Sequence, residues 1–386
     1  MFRWMLTALA LVLILTGRAR TGEADSSAFS GEIMIGATFP LTGKFSYYAQ
    51  SAYCGVITRI RQINQAGGVN GKRLSIIWRD NQSQAEQAIK NIEELVEKHR
   101  VSAVIGPLMS DVLIDVRPAA ERLGVPLVTP LASMESAVGG HPWIFGIAAN
   151  SSLQAAAMAA FQIDKFGAKT CAIIYDQVYR SSVNMAEIFR SKFTDLGGKV
   201  TAQATFRAAG GVKDYLGALR AVEKDNPDFI FAVCYGAEAA ELIYASREIG
   251  MNIRFCGPEE WDNEELFIGA GTRLAGTVIC SSLFEESSRY RPFQRFMAEI
   301  RIAGMDEPDA QAALAYDAVS FLAAGLDKSE SPEGLRSALD GVKNMNMATG
   351  RTSVGAKHNI VKPVLIRVME RRGDRLVPIY AERYDP

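Results

Sequence analysis

The chain has 386 residues, more than one hydrophobic core usually organises, and a length of this size predicts two domains. Apolar residues make up 48% and charged residues 22%, an ordinary balance for a soluble globular protein. A net charge of −1 leaves no overall field to draw nucleic acid or anionic lipid, so neither is expected as a partner.

The chain opens with an export-signal pattern: Arg3 supplies the positive start, and residues 5–16 form an apolar stretch too short to span a bilayer comfortably. Residues 1–24 are therefore expected to be a signal peptide and the mature protein to be periplasmic. No cysteine follows the apolar stretch, which argues against lipid attachment there.

From residue 32 onward, strand and helix patterns alternate. IMIGATF (33–39) is a continuous apolar run of the kind buried on both faces of a parallel sheet, and residues 51–65 follow as a helix before Gly67-Gly68. LSIIW (74–78) comes next, then a helix with Ala85, Ala88, Ile89, Ile92, Leu95 and Val96 at helical spacing. SAVIG (102–106), a helical pattern over 112–123, VPLVT (125–129) and IFGIA (144–148) complete a first series.

A second series contains CAIIY (171–175), VTAQATF (200–206), FIFAV (229–233), IRFCG (253–257) and TVICS (277–281), with helices over 213–224 and 237–249 among them. A helix-rich stretch spans 292–342. Residues 363–381 then give two alternating runs joined at Arg372-Gly373-Asp374, a β-hairpin turn that also spells an adhesion tripeptide but is filled with ordinary turn formers. The alternation predicts an α/β fold with two doubly wound parallel sheets.

Five apolar runs end in a polar residue: Ser110, Ser133, Tyr179, Tyr235 and Glu259. In open α/β sheets, ligands sit outside the carboxyl ends of the strands, where helix N-termini also deliver backbone N–H groups. Four hydroxyls and one carboxylate suit recognition of a small molecule better than catalysis. Ser110 and Asp111 also read as a simple helix N-cap, and Asp111 opposes a bound carboxylate unless its side chain turns away. Glu259 precedes Trp261, which sets a carboxylate beside a large apolar face.

Enzymatic and metal-binding signatures are lacking. His99, His141 and His358 have no ligand-like spacing, so neither a metal nor another cofactor is expected. Gly67 to Lys72 is one residue short of a phosphate loop, with Arg73 where a serine or threonine belongs. Neither G-x-S-x-G nor G-x-G-x-x-G occurs. Of the five cysteines, Cys171, Cys234, Cys256 and Cys280 lie in or beside strand-like runs and are expected to be buried; the odd count leaves at least one thiol free.

The motifs IMIGATFPLTG, INQAGGVNGKRL with Arg79-Asp80-Asn81, SAVIGPLMS, VPLVTPLAS, the Tyr-Asp turn before Tyr179, FIFAVCYGAEAAELIYASREIG and RFCGPEEWDN occur in an order that resembles the type I periplasmic solute-binding proteins of the leucine/isoleucine/valine-binding branch. The resemblance covers nearly all of the mature chain. It implies two lobes joined by three crossovers, here residues 31–146 plus 285–358 and 147–284 plus 359–386. The lobes would close like a hinge on an amino acid or analogue, as a monomer that delivers to an ABC permease.

By family position, Ser110 and Ser133 would bind the carboxylate and ammonium from the first lobe. Glu259 would meet the ammonium from the second, and Tyr179 and Tyr235 would close over the ligand. Tyr48 would line the side-chain pocket with Leu131 and Ala132. Ala49 and Arg180 stand where many members have glycine, Asp111 is unusual, and Leu131 is bulkier than the usual alanine. Arg180 is placed to satisfy an extra acid. Relatives bind amides, urea or aromatic acids as well, so a sensor of such a ligand is the alternative to an importer subunit.

Overall fold

The computed structural model describes residues 29–373 and 375–386; the expected signal peptide lies outside them. The first sheet is built from β1 (Glu32–Phe39), β2 (Arg73–Asp80), β3 (Val104–Ile105), β4 (Leu127–Thr129) and β5 (Ile144–Gly146), all parallel in the order β2-β1-β3-β4-β5. The last three strands are shorter than their apolar runs. Pro107 closely follows β3, and Pro126 and Pro130 bracket β4; a residue without an N–H cannot continue a ladder.

Around this sheet lie α1 (Ser46–Gln65), α2 (Ala85–Glu97), α3 (Ser110–Leu123) and the single turn α4 (Glu135–Val138). Helix α1 begins five residues earlier than its apolar periodicity suggests, so Tyr48 sits in its first turn.

The second sheet takes β6 (Thr170–Asp176), β7 (Lys199–Phe206), β8 (Phe229–Val233), β9 (Arg254–Gly257) and β10 (Val278–Ser281) in parallel. It carries α5 (Ser151–Phe166), α6 (Arg180–Asp195), α7 (Val212–Glu223), α8 (Gly236–Glu248) and α9 (Glu264–Ala270). β14 (Val364–Arg372) and β15 (Arg375–Tyr384) form the expected hairpin. It adds antiparallel to β10, giving the order β15-β14-β10-β9-β8-β6-β7.

The chain passes between the two halves three times. It leaves the first sheet after β5, and after β10 it returns as α10 (Arg291–Ile302), α11 (Ala310–Leu326) and α12 (Pro332–Asp340). The small antiparallel sheet β11 (Met345–Met347), β12 (Gly350–Val354) and β13 (Ile360–Val361) follows, and the chain then crosses back into β14. Leu314, Val319, Phe321, Leu335, Val354 and Ile360 belong to the same core as Ile35, Val104 and Val128 of the first sheet, so this segment completes the first lobe.

Close approach of α11 to α1 depends on Gly55, where a Cβ would stand 2.1 Å from the Ala312 carbonyl oxygen. Buried Lys362 ties the first crossover to the third, donating to Ile147 O (3.3 Å) and Thr349 Oγ1 (2.6 Å). All five cysteines are free; Cys171, Cys234, Cys256 and Cys280 are buried and Cys54 is half-buried. Among the described residues no helix is long and apolar enough to cross a membrane.

Candidate functional site

A small cavity of about 20 Å³ lies between the two lobes at the carboxyl ends of their strands. It is lined by Tyr48, Ser110, Leu131, Tyr235 and Glu259 from the expected set, with Ser181, Glu260 and Gln311 as further polar groups. Leu108, Met109 and Leu314 join Leu131 in an apolar wall contributed by the first lobe. A mostly apolar surface with a few convergent polar groups is the usual make-up of a small-molecule site.

Ser110 departs from its expected local role. It is the first residue of α3 and Met109 is the cap, so the serine does not cap the helix; its Oγ accepts from Met134 N at 3.2 Å instead. The start of α3 therefore has no side-chain cap, and Met109 and Ser110 both border the cavity. Uncapped N–H groups at a helix start attract an anion such as a ligand carboxylate.

Three expected residues lie outside the lining. Ala132 is buried. Ser133 reaches across the cleft and donates from Oγ to Glu260 Oε1 at 2.9 Å. Tyr179 is held off by Lys44, whose Nζ donates to the Tyr179 hydroxyl at 2.8 Å; its ring packs edge-on against Tyr235, with centroids 5.1 Å apart. It thus supports the tyrosine that faces the cavity. Trp261 does not form an apolar face for Glu259 either. Its ring is fully buried in the second core, its Nε1 donates to Cys234 O at 2.9 Å, and it packs on Gly257, where a Cβ would meet the indole at 2.2 Å.

Each lobe supplies the missing cap of a helix in the other. Helix α6 has no cap from its own chain segment, and Asp111 provides one: its Oδ1 accepts from Arg180 N at 2.8 Å and its Oδ2 from Ser181 Oγ at 2.5 Å. The Asp111 side chain has turned away from the cavity, as a bound carboxylate would require. Arg180 answers the acid as expected and also reaches Asp115 at 3.0 Å. At α8 the Tyr48 hydroxyl accepts from Gly236 N at 3.1 Å and donates to Glu260 O at 2.8 Å. Lys44 adds an ion pair to Glu238, in the first turn of α8, at 2.5 Å. These contacts hold the two lobes together around the cavity.

Glu259 is placed by its backbone, whose N–H donates to Gln154 Oε1 at 2.9 Å. Burial pushes its carboxyl up to about 7, against the opposing pull of Lys362. Burial also raises the Glu260 carboxyl, with its own backbone N–H and then the bond from Ser133 as lesser, opposing effects. A buried carboxylate stays ionised only where a cation or several donors meet it, so a ligand ammonium would find a ready partner here. Sequence position was enough to find Glu259. Glu260, its neighbour, was missed although RFCGPEEWDN prints two glutamates in a row; Ser181 and Gln311 carried no signal, since only folding brings α6 and α11 to this cleft.

Residues 32–374 match the family model described as periplasmic binding protein. The chain is 27% identical to the leucine-, isoleucine-, valine-, threonine- and alanine-binding protein of Pseudomonas aeruginosa, over 83% of this chain and 85% of that one. Among solved structures it is similar to the branched-chain amino acid transporter substrate-binding protein LivJ of Streptococcus pneumoniae in complex with isoleucine. The identity is 25%, the TM-score 0.82, and the match covers 91% of this chain and 100% of that one. A leucine-binding protein of Thermotoga maritima shares the fold with a TM-score of 0.84 at 24% identity, over 92% and 99% of the two chains.

Proposed function

The chain belongs to the periplasmic binding protein family, and from that membership we propose that it is the exported substrate-binding component of an ABC importer. It captures a small amino acid or close analogue between its lobes and acts as a monomer, without turnover. The lobes are residues 31–146 plus 285–358 and 147–284 plus 359–386; the cores support this division apart from its edges, where Ile147, Ala148 and Ile360 pack in the first core.

The observation that carries this reading is the cavity itself, where an uncapped helix start with Ser110 lies in one lobe and the buried Glu259 carboxylate in the other. A zwitterion leaving water needs both charges met, and charge-assisted hydrogen bonds of roughly 1.5–3 kcal/mol each supply that. The apolar wall of Leu108, Met109, Leu131 and Leu314 suits an aliphatic portion. The relatives named for branched-chain amino acids support the class of ligand.

Thermal-shift screening of the mature protein, unfolded and refolded to strip carried ligand, tests the proposal against amino acids, amides, urea and aromatic acids. A specific ligand at 100 times its Kd stabilises by about 2.7 kcal/mol. A response to α-amino acids that Glu259→Ala abolishes supports the reading. A response only to amides or aromatic acids favours the sensor alternative and removes the ammonium role of Glu259.

A further inference from the structure

The cleft contains more negative charge than a plain zwitterion can use. Glu259 Oε1 and Glu260 Oε2 are both buried without a hydrogen-bond partner, and both residues line the cavity. Glu259 is 5% exposed, so its free oxygen has no recourse to bulk water. No lysine, arginine or histidine lines the cavity among the described residues.

The charged groups around the two glutamates do not balance them. Lys362 lies close enough to act on Glu259, but it also faces Asp317, whose carboxylate accepts from Ala348 N, Thr349 N and Thr349 Oγ1. Lys362 itself is engaged with Ile147 O and Thr349 Oγ1. The Glu260 carboxylate is met by the Ser133 hydroxyl and by its own backbone N–H, and no cation acts on it. Lys362 thus serves two carboxylates, Glu259 and Asp317, and Glu260 has no cation of its own. Asp111 does not add to the excess, because it is spent on Arg180 and Ser181.

Resting on the reading of this cleft as a solute site, we propose that Glu260 is a specificity-determining residue that selects a ligand of net positive charge, a diamino acid or short diamine whose second ammonium pairs with its unpartnered oxygen. An amino acid with a single ammonium satisfies Glu259 and leaves Glu260 Oε2 alone, and its carboxylate enters a cleft that already carries an unbalanced anion. Replacing one terminal methyl by a protonated amine removes both difficulties, because buried charges are tolerated when paired. Glu260 sits where this choice is sharpest. It extends from the second lobe to Ser133 of the first, so its carboxylate gains that hydroxyl only once the lobes meet.

The test is calorimetric titration of the ligand-stripped mature protein with three probes: L-ornithine, 1,4-diaminobutane, and L-norvaline, which has ornithine's five carbons without the second amine. The expected result is that ornithine or diaminobutane binds at least tenfold more tightly than norvaline, and that Glu260→Gln removes most of this preference. Because the ornithine and norvaline comparison is made on the unmodified protein, it holds even if the variant folds poorly. Norvaline binding as tightly as ornithine overturns the proposal and leaves amino-acid binding standing. Silence from all three, with a response to other members of the wider screening panel, also overturns it while solute binding survives. Silence from both the probes and the panel overturns the two together.

Discussion

The Asp111 carboxylate of the first lobe caps the start of helix α6 in the second, accepting from Arg180 N at 2.8 Å. The bond spans the mouth of the cleft, so it exists only while the lobes are together. Any free energy it supplies favours the closed arrangement and, through it, ligand affinity.

Asp111→Ala is therefore expected to weaken ligand binding without touching the ligand. Loss of a helix cap costs about 1 kcal/mol. The Arg180 ion pairs add little because that side chain is half exposed. Affinity should fall by roughly fivefold to tenfold, and small-angle scattering of the stripped protein should show a larger radius of gyration. An unchanged affinity would mean the cap forms and breaks without linkage to closure.

The stripped protein should lose stability as pH rises from about 4.5 to about 7. Glu259 is held near 7 in the folded state by burial, against an ordinary 4.5, so the folded protein binds the extra proton and stability declines as that proton is lost. Asp309, the half-buried cap of α11, is also raised to about 7 by desolvation and contributes in a similar window. Urea unfolding across this range should show part of the slope removed by Glu259→Gln and another part by Asp309→Asn. Binding of an ammonium ligand should run the other way, tightening as Glu259 ionises, and only the Glu259 variant should flatten it.

Leu131→Ala should reshape the ligand preference. Leu131 is almost buried and forms part of the apolar wall, so truncation opens room beside Leu108 and Leu314. Ligands with one or two more methylenes should gain affinity, up to about tenfold at roughly 0.8 kcal/mol per buried methylene, while small ones lose contact. Titration with a homologous series checks it; an unaltered ranking would place the ligand's aliphatic part elsewhere.

Gly257→Ala should destabilise the second lobe. The new methyl would meet the Trp261 indole at 2.2 Å, and a ring buried to 0% exposure has little room to retreat. Overpacking of this kind costs about 1–3 kcal/mol. Because Trp261 and Glu259 share one helical turn, ligand affinity should fall along with the thermal midpoint. A variant as stable as the parent would show that the turn shifts freely.

The alternation of apolar runs and helical periodicities by itself determined the α/β class, the two parallel sheets and the hairpin that ends the second. These depend on local burial pattern, which a strand or helix writes directly into its residues. The same logic located Ser110, Tyr235 and Glu259, because a strand's carboxyl end is where an open sheet presents side chains. Resemblance to a family added Tyr48 and Leu131.

Only the tertiary structure decided which neighbours complete the cleft. Ser181 and Gln311 enter it from helices whose own sequences mark no site, and Tyr179 is drawn aside by a lysine 135 residues earlier in the chain. The reciprocal caps at Arg180 and Gly236 are invisible in sequence, since each joins a helix start to an acceptor in the other lobe. Their cause is physical. A helix start must find acceptors for its free N–H groups, but no local rule says that the acceptor comes from across a cleft.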